Sequence, residues 1–377
     1  MLHNSYFMRV ALVHDYLNQI GGGERVLQQL MRMFPDAPIY TLMYDKKKTL
    51  GMYEGRIKGT SFLDFQFARD HHRLFIPLMP MAARKMNLGG EYDLIISDSA
   101  GFGKGITYDR TKTKHLCYVH TPLRYAWETD TYFGHSIGAR LFNAIFRPAF
   151  TYVRNFDHLA AQLPDLLLAN SQYIARKVKE YYDRDAEVVY PPVDFTKFFY
   201  EPVLPFEKGE YYLAVGRLLH YKRFDLLVET FNKSGLPLKI VGAGPKFGTL
   251  KKQITSPKIE MLGYVKDDAQ LRALYNGAKG FIMANEEDFG LVTAEAQACG
   301  TPVLAYSAGG SIEIVEPRVT GLLFHMQTPE SLTEGLEEFE RIKFDRHLIS
   351  EKAKRFSVEA FEKGIREAVG KLMGSRS

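Results

Sequence analysis

The stretch NEEDFGLVTAEAQACGTP, residues 285–302, decides how this chain folds. Just before it lies GFIMA (280–284), an apolar run of the length expected for a buried strand. Residues 285–288 then supply an acidic loop, and Gly290 to Cys299 read as a helix that Gly300 stops and Pro302 enforces. Strand, short loop and helix in that order make half of a βαβ unit. In parallel sheets built from such units, ligands bind beyond the C-terminal ends of the strands, where helices begin. The first amides of this helix, on Gly290, Leu291 and Val292, would there offer N–H groups to a phosphate or an anionic sugar-phosphate oxygen.

The same alternation extends in both directions. RVALVHDY (9–16) reads as a buried strand, Gly21, Gly22 and Gly23 as a turn, and the following residues as a helix with Val26, Leu27, Leu30, Met31 and Phe34 on one face. Further strands are expected at Ile39–Met43, Leu94–Ser97, Leu116–His120, Leu166–Ala169 and Glu187–Tyr190. Pro191 and Pro192 end this series, and residues 195–209 read as a linker. A second series follows at Tyr211–Val215, Leu238–Val241, Ile259–Leu262, Gly280–Ala284, Pro302–Tyr306 and Gly321–Phe324, and Val358–Met373 has the pattern of an amphipathic helix. The expected fold is therefore α/β, with two Rossmann-like, doubly wound domains facing a central cleft. Residues 1–195 form the first, 210–355 the second, and 356–377 a helix returning to the first. No internal repeat or low-complexity tract competes with this reading.

Composition narrows the function. A chain of 377 residues with 46% hydrophobic and 25% charged side chains can build two ordinary cores. No run approaches the ~18 apolar residues of a membrane span. The start lacks a basic, long-apolar signal peptide, and residues 1–7, ahead of Met8, read as an extension. Cys117 and Cys299, each in an apolar segment, read as packing residues; two thiols give neither a disulfide framework nor a metal cluster, which suits a reducing cytosol. The net charge of +5 is uneven: residues 1–154 hold 20 Lys and Arg against 13 Asp and Glu, the remainder 29 against 31. The first half thus expects something anionic. With no zinc-finger spacing, RNP-type motif or lysine run, nucleic acid is not the expected partner.

Within the opening stretch, Glu287 and Glu295 stand eight residues apart, one in the loop and one inside the helix. A carboxylate beside a bound sugar can accept its hydroxyls or stabilise an electron-poor anomeric carbon, and one deeper in the helix can accept both hydroxyls of a ribose. Glu286, Glu287 and Asp288 could equally be a solvated acidic cap favoured by the helix dipole. What breaks the tie is resemblance. Glu287 to Glu295, with Phe289 and Gly290 between them and A-x-x-C-G-T-P-V after them, resembles the E-x7-E signature of glycosyltransferase family 4, retaining enzymes of the GT-B fold. Residues 215–222 (VGRLLHYK) resemble that family's donor-phosphate element, which makes Arg217 and Lys222 the cations for a diphosphate, one planar and one point-like. Arg223 departs from the family, which often has glycine there. Gly242, in VGAGP (241–245), resembles a turn whose glycines permit close backbone approach. Tyr264 and Val265 match a segment whose backbone contacts the nucleobase. Gly22 and Gly23 resemble the first Gly-rich loop, near donor phosphate and acceptor; the dinucleotide fingerprint G-x-G-x-x-G is absent.

In the first half, HTPLRYAW (120–127) follows a strand and contains the only tryptophan. The resemblance places His120 at a histidine that contacts the donor sugar, and the phrase is similar to bacterial O-antigen mannosyltransferases that use GDP-mannose. Lys104, in SAGFGKG (99–105), and Arg124 are the acceptor-side cations expected. Asn170 and Ser171 match a family pattern with a structural or functional role. Asp183 and Asp185 form a D-x-D pair without a third ligand and read as a solvated turn, so no metal or other cofactor is expected. Residues 69–85 mix Arg, His and Lys with large apolar residues, and Arg140, Arg147 and Arg154 recur every seven residues opposite Leu141, Phe142, Ile145, Phe146, Phe150 and Val153, with Pro148 as a kink. These read either as core-facing stripes with solvated cations or as a peripheral contact with an anionic membrane.

Together these imply a cytoplasmic glycosyltransferase, at the inner face of the plasma membrane if that contact is real. Its partners would be a sugar nucleotide and a glycan or lipid-linked acceptor in lipopolysaccharide or other cell-surface polysaccharide synthesis. Catalysis would rest on Glu287, His120, Arg217 and Lys222. A sugar-nucleotide epimerase of similar fold and a non-catalytic sugar-nucleotide binder are the alternatives; a nicotinamide oxidoreductase is disfavoured by the missing glycines.

Overall fold

The computed structural model describes residues 8–19, 21–128, 137–202 and 210–374, with the backbone only for Tyr125 and residues 137–146. The extension 1–7 and the linker residues 203–209 lie outside these. The chain divides into two compact units, Met1–Tyr190 with Glu362–Ser377, and Pro191–Phe361.

The first unit is a parallel sheet of β1 (Val10–His14), β2 (Ile39–Thr41), β3 (Ile57–Thr60), β4 (Leu94–Ser99), β5 (Lys114–Val119), β6 (Leu166–Ala169) and β7 (Glu187–Val188). Its order is β3-β2-β1-β4-β5-β6-β7. β1 and β4 are buried along their whole length, as strands covered on both faces must be, including the polar Ser97, Asp98 and Ser99 that end β4. β3 was not expected: IKGT carries Lys58 and Gly59, and only alternate residues are half-buried. It is an edge strand, where that pattern is tolerated.

The second unit holds β8 (Tyr212–Val215), β9 (Leu238–Val241), β10 (Ile259–Gly263), β11 (Gly280–Met283), β12 (Val303–Tyr306) and β13 (Gly321–Phe324), all parallel, in the order β10-β9-β8-β11-β12-β13. These six agree with the six expected to within a residue or two. In both sheets the order reverses once, between β1 and β4 and between β8 and β11, and the strand ends flanking such a reversal are where doubly wound sheets bind ligands.

Residues 195–202 are not slack. Val193 N–H donates to Phe356 O at 2.7 Å, Asn276 Nδ2 to Phe199 O at 3.0 Å, and Lys197 pairs with Asp268 at 2.7 Å, so the chain from Pro191 packs as part of the second unit. From Glu362 the helix Val358–Gly374 belongs to the first unit, where Gln29 donates to Glu362 at 2.6 Å and Lys371 pairs with Glu187. Cys117 and Cys299 are both fully buried, and burial pushes the Cys117 thiol up to about 12.

Candidate functional site

In the second unit, β8 and β11 are neighbours, so the loops leaving them share one edge. From the β8 loop Lys222 reaches Glu287 in the β11 loop and forms an ion pair, and Asn285 Nδ2 donates to the same Glu287 oxygen at 3.0 Å. Both partners are about one-sixth exposed, open enough for a ligand to reach and dry enough for the charge to matter. Gly290 caps the helix Leu291–Ala298 with φ +99°, a backbone conformation that a side chain would strain. The loop is held from outside by Gly310, whose N–H donates to Glu287 O at 2.8 Å; a Cβ on Gly310 would sit 2.2 Å from Phe289 O. Phe289 is buried against Phe356. The amides of Gly290, Leu291 and Val292 thus open the helix beside Glu287. Glu295, one turn on, is buried, with the Tyr275 hydroxyl 3.4 Å from its Oε2.

Arg217 is exposed in the β8 loop. The VGAGP glycines have a different use from close approach to a ligand: a Cβ on Gly242 would lie 1.8 Å from Gly216 O, and one on Gly244 2.6 Å from Leu218 O. They let the β9 turn press on the backbone either side of Arg217, and Leu218 N–H donates to Ala243 O at 2.9 Å. Arg223 adopts φ +53°, ψ +32°, the left-handed region glycine would occupy without strain. Its guanidinium donates to Gln327 Oε1 at 3.0 Å, and Gln327 in turn donates to Ala284 O at 2.8 Å. Tyr264 is about three-quarters exposed just past β10, with Val265 half-buried beside it.

In the first unit, β1, β4 and β5 lie side by side, and their C-terminal ends gather a cluster that sequence reasoning found only in part. Asp98 is fully buried; its Oδ2 meets His14 Nδ1 at 2.9 Å and its Oδ1 bonds His120 Nε2. Glu24, in the helix Gly22–Met33, lies 3.9 Å from His14 Nε2, an ion-pair rather than hydrogen-bond distance. Burial opposes charge on both histidines, yet the carboxylates win: Asp98 and Glu24 raise His14 to about 10, and Asp98 raises His120. Burial likewise opposes charge on Asp98 and Glu24, and the imidazoles hold both below the usual carboxylate range. Gly23 lies against this cluster, where a Cβ would be 3.4 Å from His120 Nε2, and Gly22 faces open space. Asn170 Nδ2 donates to His120 O at 2.9 Å, and Ser171 caps the next helix by accepting from Ile174 N–H. The signal for His14 and Asp98 was a charged residue at the end of an otherwise apolar strand.

Several expected residues are placed elsewhere. Lys104 is completely buried, 2.6 Å from Asp157 Oδ1 and 2.5 Å from Gly101 O, so it serves the interior of its unit and has no acceptor to meet. The SAGFGKG loop is tied instead to buried Asp15, which accepts from Ser99 Oγ, Ala100 N–H and Gly103 N–H at 2.6–2.9 Å. Arg124, half-buried, opens the short helix Arg124–Trp127. Arg154 turns inward to Ala126 O at 2.6 and 2.9 Å and covers the Trp127 ring, which removes it from any basic outer stripe. Arg147 is exposed, and the side chains of Arg140, Leu141, Phe142, Ile145 and Phe146 lie outside those described. In residues 62–81, Phe62, Phe65, Phe67, Leu74, Leu78 and Met81 are all exposed. Asp183 and Asp185 are almost wholly exposed at a helix end, within 3.9 Å of Lys179. Among the described residues no helix is long and apolar enough to cross a membrane.

Known proteins share these features. An uncharacterized glycosyltransferase of Methanocaldococcus jannaschii is 27% identical over 228 residues, 58% of this chain and 63% of that one. A D-inositol 3-phosphate glycosyltransferase of Segniliparus rotundus is 32% identical over 190 residues, 44% and 42% of the two chains. The chain therefore spans less than two thirds of either relative. A human alpha-1,3/1,6-mannosyltransferase is 22% identical over 323 residues, 75% of this chain and 74% of that one. Among solved structures, Anabaena HepE in complex with UDP superposes with a TM-score of 0.68 at 20% identity, over 97% of this chain and 100% of that one. Sucrose-phosphate synthase from Thermosynechococcus elongatus gives 0.72 at 17%, over 98% and 100%. At those identities the likeness is one of fold, two Rossmann-like α/β domains of the GT-B kind. Residues 20–197 match the family model Glycosyltransferase Family 4 and residues 197–356 the model Glycosyl transferases group 1, and the chain belongs to the glycosyltransferases that these two describe.

Proposed function

We propose that this chain transfers a sugar, with retention of anomeric configuration, from a nucleoside-diphosphate donor to a glycan or lipid-linked acceptor. One observation carries the reading: Lys222 and Glu287 pair at the ligand-binding edge of the second sheet, beside the helix start at Gly290–Val292. A diphosphate arriving there competes with Glu287 for Lys222. Lys222, Arg217 and the helix amides then take the phosphate charge as it develops on the leaving nucleotide. Glu287, released, is free to accept hydroxyls of the sugar and to stabilise an oxocarbenium-like centre. Glu295 is assigned the ribose, the backbone at Tyr264 and Val265 the base, and His120 the donor sugar. With two protein cations on the diphosphate, the proposal includes no metal, and nucleic acid has no part in it.

GDP-mannose is the donor we assign, in O-antigen or related cell-surface polysaccharide synthesis at the cytoplasmic face of the membrane. The HTPLRYAW phrase and the name of the human mannosyltransferase relative favour mannose. The Anabaena structure holds UDP, so the base is the first point to test.

The test is a thermal-shift panel of sugar nucleotides followed by turnover with the tightest. Glu287→Ala should still bind donor while kcat falls about 100-fold or more, the usual loss when a transition-state stabiliser is removed. Wild-type turnover in that variant ends the assignment. Product analysis with donor alone separates transfer from epimerisation, since only an epimerase changes the sugar without an acceptor.

A further inference from the structure

The proposed function uses His120 and leaves Asp98, His14 and Glu24 without a task. Their arrangement gives them one. Asp98 is buried at the end of β4 and spends one oxygen on each flanking histidine, His14 from β1 and His120 just past β5. His14 has a second carboxylate behind it, Glu24, itself buried in the first turn of the helix Gly22–Met33. Four ionisable groups thus run in one line, Glu24–His14–Asp98–His120, with charges alternating in sign. A buried ionic line of this kind adds little to stability, and removing one member strands its neighbour. Buried polar lines that persist at a sheet's ligand edge therefore ask for a functional reason.

The geometry at His120 supplies it. Nε2 is fixed by Asp98, and Asn170 holds the backbone carbonyl of the same residue. Among the described residues no partner falls on Nδ1. With Nε2–H committed to a carboxylate, a protonated ring has a single remaining donor, Nδ1–H.

We infer that Asp98 is the positioning residue for His120, and that His14, backed by Glu24, anchors the second oxygen of Asp98 from the other side, so that His120 meets its ligand as a cation with one defined donor. This rests on the assignment of His120 to the donor sugar; the line of four groups itself does not. An imidazolium held this way offers a full positive charge to a sugar hydroxyl or a phosphate oxygen, whereas a neutral ring could serve as acceptor instead.

The groups around His120 fix the signs. Asp98 from β4 and Asp15 from the end of β1 favour its charge, His14 from β1 opposes it, and Glu24 acts through His14. The Tyr118 ring meets it edge-on at 5.2 Å, and Asn170 is neutral. Removing Asp98 leaves burial in command, so His120 should titrate lower. Removing His14 takes away a like charge while Asp98 stays, so His120 should titrate higher.

The experiment is histidine-labelled NMR titration of the full chain, free of ligand, in wild type, Asp98→Asn and His14→Gln, with the His120 resonance identified by its loss in His120→Asn. Opposite shifts, down in Asp98→Asn and up in His14→Gln, support the proposal. An unchanged or raised His120 in Asp98→Asn, or a lowered one in His14→Gln, overturns it. Should Asp98→Asn fail to fold, His14→Gln alone decides by its sign. Titrating the wild type again with GDP-mannose and with UDP-glucose separates the two layers. If neither moves His120 while the variant shifts hold, the positioning line stands and the sugar assignment falls.

Discussion

Replacing Lys104 by methionine should damage the fold of the first unit and leave acceptor affinity alone. Its ammonium has no exposed surface and lies 2.6 Å from Asp157 Oδ1 and 2.5 Å from Gly101 O. Methionine nearly matches the stem in volume, so packing changes little and charge is what is lost. The other Asp157 oxygen keeps Trp127 Nε1–H at 2.8 Å and the Tyr182 hydroxyl at 2.7 Å, so the carboxylate is not wholly abandoned. Breaking a buried pair from one side costs about 3–5 kcal/mol, and those surviving donors place this case near the lower figure. About 3 kcal/mol in a unit of this size lowers the unfolding temperature by roughly 6–12 °C. Adding Asp157→Asn removes the stranded charge while an amide oxygen still accepts from Trp127 and Tyr182. The double variant should therefore recover more than half of the loss, the non-additivity expected of a directly paired site. Calorimetry on the four proteins reads this directly, alongside KM for acceptor on the folded fraction. A Lys104→Met protein that unfolds within about 0.5 kcal/mol of wild type but binds acceptor poorly would refute the reasoning and return Lys104 to the surface role its loop suggested.

Two further perturbations probe other parts of the molecule. Arg223→Gly relieves a left-handed residue, which costs about 1 kcal/mol, and loses hydrogen bonds to Gln327 of similar net worth, so stability should change by less than about 1 kcal/mol. The loop carrying Lys222 should nevertheless loosen, and donor KM should rise several-fold in both Arg223→Gly and Gln327→Ala; an unchanged KM in both makes the Arg223–Gln327 contact incidental. For the membrane, Phe67 and Leu74 are the residues to change, both being over half exposed. Wild type should float with phosphatidylglycerol vesicles and not with phosphatidylcholine, and Phe67→Ser/Leu74→Ser should drop recovery more than tenfold, since each apolar side chain that inserts contributes on the order of 1.5 kcal/mol or more. Equal recovery on both lipids removes the membrane contact.

How far the sequence reached depended on whether a residue's role was set by its neighbours in the chain. Strands were legible because apolar runs must be buried, and only β3, whose Lys58 and Gly59 break the run, escaped. The acidic loop and helix at 285–299 were legible because turn, cap and stop are all local. Lys104 and Arg154 were misjudged for the opposite reason. A cation in a Gly-rich loop reads the same whether it meets a ligand or a buried acid, and Asp157 stands 53 residues further on. Arg154 shares a seven-residue spacing with two other arginines, but its partner is the carbonyl of Ala126 on a different helix. Glycines have the same ambiguity: Gly242 and Gly244 admit close approach, and only the folded chain tells that what approaches is the backbone around Arg217.

Strand order is the step that would have closed most of this gap. A doubly wound sheet places its first strand beside its fourth and its fourth beside its fifth. Given that order alone, the residues at and just beyond the ends of β1, β4 and β5 must meet at one edge, and His14, Asp98 and His120 are among them. The same rule applied to β8 and β11 brings the loop of Arg217 and Lys222 to that of Glu287, as the Lys222–Glu287 pair records. A charged residue closing an apolar strand is ambiguous alone, since it can be a solvated strand end or part of a site. It becomes informative when topology supplies a counter-charge on the adjoining strand, because burying one charge there requires the other. Reading strand ends in their spatial rather than their sequential order therefore finds Asp98 without any motif, and marks it as the residue on which the protonation of His120 depends.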